Sequence, residues 1–328
     1  MLRAAKQKRT KYERYKPMTT RNEAAEVATT PEPQHPYTLP KPYLSASQIS
    51  TYLRCPMQYE FRYIKGITSP PAVAMMVGSA VHSGLEMYYN DRLDKNPMKY
   101  KPEQIAEFAI TSLEEEVSEK EIPLEGSEKD DTVTHINNAV VPYVNHVGPH
   151  FDPISVESEI RYISTCGVEV LGYLDLERAP MKLELEADYP DPEKRETAAS
   201  LGLGNRICDH KITGKKWALS QLENSLQFHL YVMATGKHNV EIHNVVKSTK
   251  TAASKVSEAD FLLPSQDMTK NIRLLRHKFN PMHFHHIEVL IERVACGISS
   301  GVFTPTDLGN WCCSERFCGY WYLCRGAK

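Results

Sequence analysis

The chain has 328 residues, with 39 Lys and Arg against 41 Asp and Glu, a formal net charge of −2, and 8 cysteines. Its length allows about two domains on the usual ~150-residue scale, and its apolar runs fall far short of the ~20 residues a membrane-spanning helix needs. With no globally basic surface, any nucleic-acid partner would have to be held by a local groove.

The N-terminus lacks the apolar core of a secretory signal, so a cytoplasmic location is expected. Cysteines in such a chain point to metal or cluster ligation, not to disulfides. Residues 1–42 read as a disordered arm, because basic residues crowd Leu2 to Arg21 and Pro, Thr and Glu follow without apolar periodicity. Such an arm can touch phosphates or simply solubilise. Order begins at Tyr43. Ser45 or Ser47 caps a helix with an apolar stripe of Ile49, Tyr52 and Leu53, which ends at Cys55-Pro56. Tyr59, Phe61, Tyr63 and Ile64 continue the packing. After Pro70-Pro71, residues 77–86 read as a helix with small residues and one histidine, His82. Amphipathic spacing predicts scaffold helices over 102–119 and 132–147.

From Ile154 the period changes to two. Residues 154–163 and 168–177 form a hairpin around Thr165-Cys166-Gly167, and its second strand carries Asp175 between Leu174 and Leu176. Glu157 and Glu159 share a face of the first strand, where glutamates are more often solvated; one of them could face a site near Asp175, with Glu159 as the lesser reading. Residues 179–204 read as an inserted excursion, a short strand over Leu183-Glu184-Leu185-Glu186 and then a mobile loop. Pro190-Asp191 within it is turn-like.

Arg206 to Lys211 is a further strand, on which Asp209 and Lys211 share a face while His210 points the other way. Beside the Asp175 strand, two carboxylates and one ammonium would converge, an arrangement suited to a divalent cation and an attacking water. An isolated Asp-x-Lys is more simply a surface ion pair. A helix over 217–234 carries Gln227 and Tyr231 four residues apart, on one face. Gly214-Lys215 lacks the upstream glycine of a phosphate loop. Residues 239–264 return to strand alternation, and 269–299 read as one or two helices broken at Pro281. His283, His285 and His286 cluster there, read as a surface cluster over the alternative of a zinc site, because adjacent His285 and His286 cannot easily converge with His283 on one helical face.

Trp311 to Cys324 is the most specific stretch. Cys312, Cys313, Cys318 and Cys324 stand among aromatic residues, the low-dielectric setting of a metal cluster. Cys313, Cys318 and Cys324 leave one ligand position open, and Cys55 beside Pro56 is the natural fourth. An iron–sulfur cluster and a four-thiolate zinc both fit.

Taken together, these residues resemble the RecB-like branch of the PD-(D/E)XK nucleases, in particular its members with a cysteine-ligated [4Fe-4S] cluster. The resemblance runs from Leu44 to Cys324. Leu44 to Pro56 is similar to the family's opening helix and first cluster cysteine, and Gly78-Ser79-Ala80-Val81-His82 to its metal-binding histidine motif. Gly172-Tyr173-Leu174-Asp175 resembles the segment of its first carboxylate, Asp209-His210-Lys211 its Asp/Glu-x-Lys core, and Gln227 with Tyr231 its Gln-x-x-x-Tyr helix. Cys313, Cys318 and Cys324 resemble its terminal cysteines, with Cys312 as the spare.

The resemblance implies an α/β fold with a restriction-endonuclease-like core, a central mixed sheet flanked by helices whose chain ends are stapled by the cluster, with 43–328 as one domain. It implies a metal-dependent DNA exonuclease of recombination, repair or mobile-element processing, acting on DNA with free ends or single strands alongside recombination or replication proteins. His82, Asp175, Asp209 and the His210 carbonyl would hold Mg²⁺ or Mn²⁺. Lys211 would orient water, and Gln227 and Tyr231 would position the strand. A noncatalytic, cluster-stapled nucleic-acid-binding module is the alternative, which has no need of the full residue set.

Overall fold

The computed structural model describes residues 36–69, 71–94, 99–247 and 258–325. The arm expected over 1–42 therefore lies outside the described residues except for 36–42. A two-residue strand, β1 (Tyr43–Leu44), leads into α1 (Ala46–Arg54), whose first turn is capped by Ser45 accepting from the Gln48 amide at 3.3 Å. Ile49 and Tyr52 face inward, whereas Leu53 is exposed. Cys55 leaves the helix in an extended conformation, and Pro56 opens α2 (Pro56–Tyr59), which runs into one π turn at Glu60–Ile64.

Three long helices follow: α3 (Val73–Leu93), α4 (Pro102–Glu119) and α5 (Gly126–His146). Gly84 lets α3 and α4 approach closely, since a methyl there would lie 3.1 Å from Ala109 Cβ. The hairpin is β2 (Pro153–Ile163) and β3 (Glu169–Arg178), turned by Gly167 at φ +82°. The excursion forms α6 (Lys182–Asp188) and α7 (Pro192–Ser200), and then come β4 (Arg206–Thr213), α8 (Leu219–Glu223), α9 (Leu226–Thr235) and β5 (Asn239–Val246). The remaining elements are β6 (Ser265–Asp267), β7 (Ile272–Lys278), α10 (Phe284–Ser299) and α11 (Trp321–Arg325).

The sheet runs in the order β1-β3-β4-β5-β7-β6, with β2 added to β3. It is mixed: β4 and β5 are parallel, while β2–β3, β3–β4, β5–β7 and β6–β7 are antiparallel. Helices α3, α4 and α5 bury one face against Leu176, Cys208, Val245 and Leu274. On the other face Phe228, Tyr231 and Val232 of α9 pack on Leu174, Ile207 and Ile242. Among the described residues no helix is long and apolar enough to cross a membrane.

Four expected elements differ. Residues 179–204 hold two helices in place of a strand and loop. The Leu-Glu alternation that looks strand-like ends up helical because Glu184 accepts from the Met181 amide at 2.9 Å, and Asp191 caps the next helix, accepting from Glu193 at 2.9 Å just before Pro192. Glu184 is fully buried and holds Arg178 through two 2.7 Å bonds. The helix expected over 217–234 is broken at Asn224-Ser225 into α8 and α9. Ile272–Lys278, expected to be helical, is a strand, because pairing with β5 and β6 on both sides outweighs local propensity. Of the strand pattern over 239–264, β5 is present and Glu258–Leu262 is a 3-10 turn, while 248–257 lie outside the described residues.

Candidate active site

The site forms where β3 and β4 part. Their pairing covers Arg178 opposite Arg206 through Leu176 opposite Cys208 and goes no further. Beyond it, Asp175 spans the gap, with Oδ2 accepting the His210 main-chain N–H at 2.7 Å. From α3, His82 brings Nδ1 to 3.3 Å of the same oxygen. Burial alone would raise the Asp175 carboxyl, but His82 and the His210 main-chain N–H hold it well below the usual range.

Asp209 and Lys211 point together to the α9 side. Lys211 Nζ donates to Asp209 Oδ1 and to Gln227 Oε1, both at 3.0 Å, and Gln227 Nε2 donates to Asp209 Oδ1 at 2.9 Å and to Tyr231 Oη at 2.7 Å. Gly172 makes room for that tyrosine, since a methyl at Gly172 would stand 2.9 Å from its ring. The other Asp209 oxygen, Oδ2, is buried 2.8 Å from the ammonium yet accepts no well-aligned hydrogen bond. Burial, and then Asp175, raise the Asp209 carboxyl against the pull of Lys211. For Lys211, burial works against the charge, but Asp209 outweighs it and keeps the ammonium protonated.

Two further acids join this cluster: Glu86, to which the sequence reading gave no role, and Glu157, one of the two strand acids it named. Glu86 follows His82 by four residues on α3, so the two share a face, and its carboxyl is raised by burial. Glu157, not Glu159, is the strand acid that adjoins Asp175. It keeps an exposed edge, yet partial withdrawal from water, followed by Asp175, Glu86 and Asp209, pushes its carboxyl up to about 8. Its backbone is left-handed, φ +48°, which no period-two pattern reveals. Glu159 instead engages Arg161 at 2.8 Å and Tyr173 at 3.0 Å. Asp191 serves as a helix cap.

Carboxylates from α3, β2, β3 and β4, of which Glu157 and Asp209 are raised by burial and by their acidic neighbours, with one buried oxygen lacking an aligned donor, form a donor set suited to a divalent cation. His82, Asp175 and His210 also place ligand atoms within 4.8 Å of one another. A second such group, Cys208, Glu241 and His243, is fully buried, but Glu241 already binds Arg178 at 2.9 Å and Arg276 at 2.5 Å. Those guanidiniums supply the positive charge a metal would bring.

At the other end of the chain, Cys55, Cys312, Cys313, Cys318 and Cys324 line one small cavity with Trp321 and Arg325. Both members of the Cys312-Cys313 doublet reach it. His283, His285 and His286 are exposed around the start of α10.

The sequence profile of the PD-(D/E)XK nuclease superfamily matches residues 43–325, a span that takes in every side chain above. The chain belongs to that superfamily. Members of the PD-(D/E)XK superfamily are generally metal-dependent nucleases that use Mg²⁺ or Mn²⁺, with DNA as substrate. The mixed sheet flanked by helices fits the restriction-endonuclease-like core of such a nuclease. No curated protein matches the chain in sequence.

Proposed function

We propose that this PD-(D/E)XK protein is a RecB-like, divalent-metal-dependent DNA exonuclease of recombination, repair or mobile-element processing, with residues 43–328 as its nuclease domain. The observation that carries the reading is the Asp175, Asp209, Lys211 and Gln227 constellation at the parting of β3 and β4. A module that only binds nucleic acid has no need of an ammonium held against a buried, incompletely satisfied carboxylate.

Asp175, Asp209 and His82 would hold Mg²⁺ or Mn²⁺, with the His210 carbonyl as a further ligand. The bound ion would polarise the scissile phosphate and acidify the attacking water. Lys211, kept protonated by Asp209, orients that water and offsets charge on the phosphate oxygens without transferring a proton. Gln227 holds Lys211 and Asp209 in register, and Tyr231 holds Gln227.

A cleft of about 590 Å³ opens on Gln227 and Tyr231 and is lined by Lys41, Tyr43, Ser47, Tyr63 and Tyr173. Tyrosine rings beside a lysine suit unpaired bases and a phosphate backbone, which supports single-stranded or free-ended DNA as substrate. The five-cysteine cavity supports a [4Fe-4S] cluster on Cys55, Cys313, Cys318 and Cys324, and partner recombination or replication proteins would deliver the DNA end.

The test is digestion of end-labelled single- and double-stranded DNA with Mg²⁺ or Mn²⁺. Shortening from an end is expected, and it should vanish with chelator and with Asp175→Ala while persisting in Asp191→Ala. Metal-independent binding with no cleavage would overturn the catalytic reading.

A further inference from the structure

Resting on the divalent-ion reading above, we propose that the His210 imidazole is itself a metal ligand through Nδ1, together with His82 and Asp175. A buried hydrogen-bond chain from Glu241 fixes the tautomer that leaves this nitrogen bare, and the nitrogen ligands bias the centre toward a first-row transition ion such as Mn²⁺ over Mg²⁺.

The chain starts from a fixed charge. Glu241 accepts from Arg178 Nη2 at 2.9 Å and from Arg276 Nε at 2.5 Å, so it is a carboxylate and can only accept. His243 Nε2 lies 2.5 Å from Glu241 Oε1 and must therefore carry its hydrogen. The ring is fully buried and Glu241 is already paired with two guanidiniums, so a second ring hydrogen would leave an unpaired buried positive charge, and Nδ1 is left as an acceptor. Tyr143 Oη contacts this Nδ1 and gives it the single hydroxyl hydrogen.

Having spent that hydrogen, Tyr143 Oη can only accept from its two remaining neighbours. These are Tyr89 Oη at 2.7 Å and His210 Nε2 at 3.0 Å. His210 must then be protonated on Nε2, and its Nδ1 presents a lone pair. That lone pair lies 3.6 Å from Asp175 Oδ2, too far for a hydrogen bond and acceptor against acceptor. His82 Nδ1 stands 3.3 Å from the same oxygen, and the three groups offer ligand atoms within 4.8 Å.

A cation between them resolves the opposed lone pairs. A ligating imidazole whose other nitrogen donates into the protein is the usual way a metal histidine is oriented. Here that donation runs inward to Tyr143, His243 and Glu241, which act as positioning residues. The imidazole is a donor separate from the His210 carbonyl, on the side of β4 away from Lys211. Two nitrogen ligands favour transition ions, whereas Mg²⁺ prefers an all-oxygen shell.

The experiment is calorimetric titration of the full chain with MnCl₂ and, separately, MgCl₂, for wild type, His210→Asn and Tyr143→Phe. His210→Asn should lose about 10–100-fold in Mn²⁺ affinity with Mg²⁺ affinity nearly unchanged, and Tyr143→Phe should shift the preference in the same direction. Equal losses for both ions, or no loss, would overturn the proposal. Should the variants fail to fold, ¹⁵N-histidine spectra of the wild type decide: His210 is expected as the Nε2–H tautomer, broadened by substoichiometric Mn²⁺. An Nδ1–H tautomer or an unbroadened ring rejects it. Wild type that binds neither ion and cuts no DNA removes the nuclease reading as well. Wild type that binds Mn²⁺ and cuts, with His210→Asn indistinguishable from it, removes this inference alone.

Discussion

Glu157 holds a left-handed backbone at φ +48° in the middle of a strand, a conformation that costs a side-chain-bearing residue about 1–2 kcal/mol. The strain aims a carboxyl at Asp175, Glu86 and Asp209, where, after loss of water, their charges push it from an ordinary value of 4.5 up to about 8. Because the folded chain binds this proton more tightly than the unfolded chain, the group stabilises the metal-free protein fully below about 4.5 and progressively less as pH rises through about 8. Glu157→Gln keeps the neutral shape at every pH. Its melting temperature, relative to wild type, should therefore climb between pH 5 and pH 9 in chelator, and a pH-independent difference would show that Glu157 does not titrate there. Lys211 gives a second residue-scale test. Lys211→Ala should cut turnover by about 10²–10³-fold, the usual loss for one charge-stabilising donor, while DNA and metal affinity stay near wild type. Asp209→Ala should lose metal binding too, and a Lys211→Ala protein cleaving at wild-type rate would reduce Lys211 to a structural ion-pair partner of Asp209.

At the scale of elements, α6 was the least legible part of the chain. Its Leu183-Glu184-Leu185-Glu186 pattern has the period of a strand, and nothing local says that Glu184 will be wholly buried between Arg178 at 2.7 Å and Arg206 at 3.1 Å. Truncating one member of such a cluster strands the others, so Glu184→Ala should destabilise by about 3–5 kcal/mol in a denaturant melt. Glu186→Ala, on a half-buried acid of the same helix with only long ion pairs, to Arg195 at 3.7 Å and Lys182 at 4.0 Å, should change little; equal effects would mean that the excursion is not pinned through Glu184. The same physics explains what could be read beforehand. Asp209 and Lys211 share a face because side chains alternate along a strand, and Gln227 and Tyr231 share one because a helix repeats at 3.6, so both pairs could be placed from spacing. Glu86 was within reach by the same four-residue rule from His82. The choice of Glu157 over Glu159 was not, since its direction depends on one backbone angle, and β7 was not, since its state is decided by partners on both sides. The buried line from Glu241 through His243 and Tyr143 to His210 joins three elements with no shared period.

Across the whole molecule, the two ends of the described chain meet at a cavity whose lining shares no residue with the Asp175–Asp209 cluster. Tyr52 Oη donates to the Val302 carbonyl at 2.8 Å, the Met57 amide to Thr304 at 3.2 Å, and Tyr320 Oη to Ile67 at 2.9 Å. Between these contacts Cys55 and the C-terminal cysteines enclose their small cavity. Five thiols around one space repel as thiolates, so a cation that binds the folded arrangement in preference to the unfolded chain would lock α1 to α11 and add its binding free energy to the fold. Protein purified without oxygen should be brown if the occupant is [4Fe-4S], and colourless with one bound zinc if it is not; absence of both metals would remove the staple. Cys55→Ser should bleach or demetallate the protein and lower its melting temperature. Cys166→Ser, in the hairpin turn away from that cavity, should do neither. Of the doublet, loss of metal in Cys313→Ser but not in Cys312→Ser would assign the ligand to Cys313, and the reverse result would shift the register by one residue. DNA cleavage surviving in a demetallated but folded Cys55→Ser protein would separate the staple from the chemistry, as expected if catalysis depends only on the residues at the parting of β3 and β4.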